Sequence, residues 1–173
     1  MQTLLYLGPI WLLTLLLMNP LSVSAQPQHR QVGKMTVSWT YEGEDILFTV
    51  TSPDNGWIVL GFNDENNIVG ATLQLGGYRE TTGKQYSSER LTLAPGNHRA
   101  KVDLELPTRV TELEITTGRK RGTVMRLRLP ILPATSGEYD LRSGTDLWLI
   151  LAYSVSDDLD HHSRFRRHIK VTL

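Results

Sequence analysis

The chain has 173 residues, 18 lysines and arginines against 18 aspartates and glutamates, and no cysteine. Balanced charge removes the global basic field that nucleic-acid binding draws on. Absent cysteine removes thiolate metal centres, thiol catalysis, disulfide scaffolds and covalent c-type haem attachment.

Leu4 to Leu17 is almost entirely apolar, and Val23 and Ala25 stand at the −3 and −1 positions of a signal-peptidase site. Pro9 and the Asn19–Pro20 pair interrupt the run, which falls short of the ~20 clean residues of a spanning helix. This pattern predicts a signal peptide over 1–25, a short mature extension over 26–33 and one domain over 34–173. The expected destination is the periplasm or the cell exterior.

Period-two alternation then dominates. In KMTVSWTY, Met35, Val37, Trp39 and Tyr41 share one face; in DILFTVTS, Ile46, Phe48 and Val50 do. The two segments predict a hairpin through the four residues EGED. After the turn SPDNG comes GWIVLGF, apolar on both faces and expected to be a central strand. The polar loop NDENN follows; its oxygens do not match a helix-loop-helix calcium site, since Val69 stands where that loop needs glycine.

TELEITTGRKRGTVMRLRLPI reads as a second hairpin, with GRKRG as its turn. Glu112 and Glu114 should face Arg126 and Arg128 across its solvent side. DLWLILAYSV is the most hydrophobic mature segment and is expected at the centre of a sheet, with RFRRHIKVTL as the closing edge strand. Short strands separated by Gly, Pro and Asn turns, with no helical periodicity after the leader, predict an all-β antiparallel sandwich. Met35 and Met125 occupy periodic apolar positions and read as core. No nucleophile elbow, zinc-protease helix or phosphate loop is present, so the sequence points to a binding module and not to an enzyme.

ILFTVTSPDNGWIVLGFNDENNIVGATLQLGGYR resembles the core of the DOMON domain family. The later segments, from GTVMRLRLPI through YDLRSGTDLWLILAYSVSDDLDHHSRFRRHIKVTL, are similar to that family's late strands and its His-bearing loop. The likeness covers most of residues 34 to 173. It implies an immunoglobulin-like β-sandwich that binds b-type haem or another small ligand, in some members a sugar. The haem-binding members transfer electrons, which here would come from a separate redox or membrane partner.

The resemblance also implies two axial ligands, a Met from the polar loop and a His before the last strand. The second is represented by His161 or His162, one imidazole of which a nearby acid such as Asp158 or Asp160 would orient. At the first stands Ile68, which has no lone pair, although Gly70 and Ala71 match. The expected cavity mouth lies between the Asn-rich bend and the twin histidines. His98, in APGNHR, is a further imidazole, and His168 reads as structural or exposed. Arg164, Arg166 and Arg167 suit haem propionates or anionic sugars. Should the haem site be lost, a carbohydrate-binding, adhesion or scaffold module is the alternative. Trp57, near the start of its strand, and Tyr78 and Tyr86, expected in loops, are then the candidate stacking platforms.

Overall fold

The computed structural model describes residues 27–79, 81–118, 122–131, 139–159 and 162–173. The expected leader with its cleavage point lies outside the described residues. Among the described residues, eleven strands and one 3-10 turn make an all-β fold of two antiparallel sheets, the expected sandwich.

In chain order the strands are β1 (Gln28–Val32), β2 (Met35–Glu42), β3 (Asp45–Thr51), β4 (Ile58–Asn63), β5 (Thr72–Arg79) and β6 (Lys84–Ala94). Then follow β7 (Asn97–Ala100), the 3-10 turn Lys101–Leu104, β8 (Glu112–Gly118), β9 (Gly122–Pro130), β10 (Asp146–Tyr153) and β11 (Phe165–Thr172). One sheet has the order β1-β2-β3-β9-β8 and the other β11-β10-β4-β5-β6-β7.

The alternating faces land where their periodicity directs them. Met35, Val37, Trp39, Ile46, Phe48 and Val50 are buried between the sheets with Leu60 and Phe62 of β4 and Leu149 and Leu151 of β10. Phe48 meets Phe62 edge-on at 5.3 Å, and Phe62 stacks on Tyr139 at 4.4 Å. Met125 is fully buried in this core. β4 and β10 are interior strands, as their two apolar faces require.

Two details differ from expectation. Within the expected extension, Gln28–Val32 pairs along β2 as an edge strand. The first hairpin turns through two residues, not four: Glu42 and Asp45 are already paired, and Gly43 supplies the positive φ of 62° that so tight a turn requires. The second hairpin has the predicted register, with Glu112 opposite Arg128 and Glu114 opposite Arg126.

Candidate functional site

Residues paired across neighbouring strands share a face, so the register of the six-stranded sheet fixes what its outer face carries. One row runs His168, Ile150, Gly61, Leu73, Arg90, Ala100 from β11 to β7. The next runs Arg166, Ala152, Val59, Leu75, Ser88. The centre of this face is apolar and its two margins are cationic.

That apolar centre is a second hydrophobic cluster, made of Trp57, Val59, Ala71, Leu73, Leu75, Ile150 and Ala152. Ile68, Tyr86 and Leu159 pack against it. Gly61 lets Leu73 and Ile150 close over the strand: a Cβ there would stand 2.6 Å from Leu73 Cδ2 and 2.9 Å from Ile150 Cβ. β6 carries a register shift between Thr92 and Ala94, a bulge of the kind that bends a strand.

Loops frame the cluster at both ends. Asn63 Nδ2 donates to Asn67 O at 2.7 Å and to Val69 O at 3.1 Å, which folds residues 64–70 back on themselves and sets half-buried Ile68 on the cluster. Gly70 has φ +83°, a conformation that favours glycine, and its N–H donates to Thr92 O at 2.9 Å. At the other end, Trp57 Nε1 donates to Asp158 O at 3.0 Å and Tyr86 OH to Asp157 O at 2.6 Å. Burial, with Asp157 adding to it, pushes the Tyr86 phenol up to about 12.

Two imidazoles stand on the margins. His98 Nδ1 lies 2.8 Å from Thr92 Oγ1, and His168 Nδ1 donates to Asn66 Oδ1 at 3.1 Å. Burial first, then Arg90 and Arg166, hold His98 below the usual histidine range; burial and Arg166 do the same to His168.

The expected site residues are therefore divided. Trp57 is buried, with its indole N–H engaged, and is no exposed platform. Tyr78 and Tyr86 lie in β5 and β6, not in loops. Ile68 and Gly70 follow the Asn63 end of β4. His162 is exposed and follows Tyr153 of β10, which pairs with Ile58 at the opposite end of β4. Those ends are roughly 17 Å apart at about 3.4 Å per residue, so the Asn-rich bend and the histidine loop do not share one mouth. His161 lies outside the described residues.

A b-type haem held by the expected pair does not fit these residues. Ile68 offers no donor atom, His162 lies at the far end of the strand, and the floor between them is closed by side chains. Among the described residues no group of three or more His, Asp or Glu is placed to hold a metal ion.

The second candidate site was not singled out in the sequence. It is a cleft of about 390 Å³ at the open edge of the sandwich, where β5 and β6 face β8. Its lining includes Gln74, Ser87, Glu89, Val102, Val110 and Leu113. Glu89 is buried and 2.7 Å from buried Lys101 Nζ. Its Oε2 accepts from Arg109 N at 2.9 Å, and Lys101 also donates to Pro107 O at 3.1 Å.

No protein-family model matches the chain, and no curated protein matches it.

Proposed function

We propose that this protein is an exported, DOMON-like binding module without catalytic chemistry of its own, and that its ligand is an amphipathic anion. Export rests on the apolar run Leu4 to Leu17 and the small residues Val23 and Ala25. The observation that carries the ligand class is the outer face of the six-stranded sheet. A sandwich needs one buried face per sheet, yet this sheet is apolar on both. The extra apolar strip is bordered by Arg90 and Arg166, neither of which has a carboxylate partner among the described residues.

An apolar plane with carboxylates at its rim matches that pattern, and a porphyrin is the member of this class that the resemblance implies. Binding would displace Ile68 from the floor and break the Asn66–His168 hydrogen bond, leaving guanidinium groups to meet the acid groups. The reading needs no iron ligand.

Titration of the purified mature chain with haemin and with metal-free protoporphyrin IX tests it, followed by porphyrin absorption and tryptophan quenching. Both should bind, and Arg166→Glu should weaken both at least about tenfold, a loss of about 1.4 kcal/mol. Failure of both porphyrins to bind overturns the reading. Binding of haemin alone, with a sharp Soret band lost in His162→Ala, replaces it with iron ligation.

A further inference from the structure

An edge strand offers its unpaired N–H and C=O groups to another chain. Among the described residues the edges are β1, β7, β8 and β11, and three of them are short or engaged. β7 has four residues and β1 has five. On β8 the Ile115 N–H already donates to Gln85 Oε1 at 3.0 Å. β11 has eight residues and pairs along β10 alone. Just past its end, Leu173 N–H donates to Thr145 O at 2.9 Å in the same register. Bonded residues alternate along an antiparallel ladder, so Arg166, His168 and Lys170 turn their backbone groups away from β10. The hydrogen bond of exposed Arg167 agrees: its Nη1 donates to Arg166 O at 2.9 Å.

This edge is also cationic. Asp54 takes Arg164 at 3.6 Å and Asp146 takes Lys170 at 3.0 Å. Arg166 and Arg167 have no carboxylate partner among the described residues. They lie on opposite faces of the strand, Arg166 in the outer row with Ala152 and Arg167 over the Phe165 ring at 5.2 Å.

We infer that β11 docks an acidic, extended segment of a partner protein as an added strand. Main-chain hydrogen bonds to Arg166, His168 and Lys170 hold the segment, as in other strand additions. Two successive carboxylates, one on each face, meet Arg166 and Arg167. Arg167 leaves Arg166 O for its carboxylate, and a peptide N–H replaces it there. A second copy of this chain is a poor occupant of the edge. Antiparallel self-pairing about His168 sets Arg166 opposite Lys170, and like charges directly opposite destabilise. The acidic β8 of another copy has its Ile115 N–H engaged and its Glu112 and Glu114 paired with Arg128 and Arg126. The inference makes no use of the apolar strip and stands apart from porphyrin binding.

Amide hydrogen exchange of the mature chain, followed by NMR, tests the assignment with three synthetic peptides at millimolar concentration. The first is acetyl-TEVTDET-amide, which sets its adjacent acids against Arg167 and Arg166 in an antiparallel addition. The second has lysine in place of each acid. The third is the acidic peptide N-methylated at its second, fourth and sixth residues, which keeps the charge and removes the strand hydrogen bonds. The acidic peptide should slow exchange of the Arg166, His168 and Lys170 amides at least about tenfold, and the other two should not. Arg167→Glu, at an exposed position, should fold normally and weaken the acidic peptide at least about tenfold. No slowing with the acidic peptide overturns the inference, as does an unchanged affinity in Arg167→Glu. Equal binding of the N-methylated peptide also overturns it, leaving a surface that attracts anions by charge alone. Protection of the same amides without peptide, together with a dimer in sedimentation, assigns the edge to a second copy instead.

Discussion

Lys101→Met should be among the most damaging single substitutions in this protein. The Lys101 and Glu89 side chains are 5% and 3% exposed, and their charged atoms are 2.7 Å apart. Removing the lysine leaves a buried carboxylate with, among the described residues, the Arg109 N–H as its remaining donor. Breaking a buried pair from one side costs about 3–5 kcal/mol, mostly because the surviving charge is uncompensated. At about 2–4 °C per kcal/mol for a chain near this size, the midpoint should fall by roughly 10 °C. Glu89→Gln should cost a similar amount: it keeps an acceptor for Arg109 N but leaves the ammonium, among the described residues, with Pro107 O alone. The double variant Glu89→Gln/Lys101→Met removes both charges and should lie within about 2 kcal/mol of the parent. Urea unfolding of the four proteins gives the coupling directly. If Lys101→Met costs under about 1 kcal/mol, or the two losses simply add, the pair is solvated and the buried-charge reasoning is wrong.

Gly61→Ala should destabilise by about 1–3 kcal/mol in urea unfolding, since the new Cβ overpacks against Ile150 Cβ. The exposed pair Glu114–Arg126, at 3.0 Å, should contribute under about 1 kcal/mol by double-mutant cycle, despite its ideal register. His98 has its folded pKa below the unfolded value of 6.5, so below that pH the unfolded state binds more protons than the folded one. Stability should therefore decline as pH falls from about 6.5 towards the folded pKa, and His98→Gln should flatten that slope in unfolding measured across pH. Tyr41 and Tyr86 are both pushed up to about 12, by burial foremost, so the unfolded chain loses those protons first. Stability should fall between pH 10 and 12, less steeply in Tyr86→Phe.

The strands with strict alternation were legible because their periodicity and their burial share one cause. β2, β3, β8 and β9 each put one apolar face on the core, and turn glycines fixed their registers closely enough to place Glu112 opposite Arg128. β1 carried no such signal: QHRQV is polar throughout, and its place in the sheet comes from pairing with β2. The Glu89–Lys101–Arg109 network was likewise hidden. Its members are ordinary charges in polar segments, and only the turn after β7 brings them together.

β5 did carry a readable signal that periodicity alone misassigns. In TLQLGG the apolar residues Leu73 and Leu75 fall on the outer face, while Thr72, Gln74 and Gly76 face the core. Packing explains the inversion. Gly76 must be bare because Ile115 of β8 and Met125 of β9 press on it, and this close approach leaves the wider space beside Gln74 and Glu89 to become the edge cleft. Leu73 and Leu75 then have to find cover outside the sandwich, which Ile68, Tyr86 and Leu159 supply. One strand thus produces both candidate sites, a polar notch on its inner side and an apolar strip on its outer side. In this arrangement an isoleucine at position 68 has a packing role of its own: it covers leucines that the core does not take, a task for which a branched hydrocarbon is well suited.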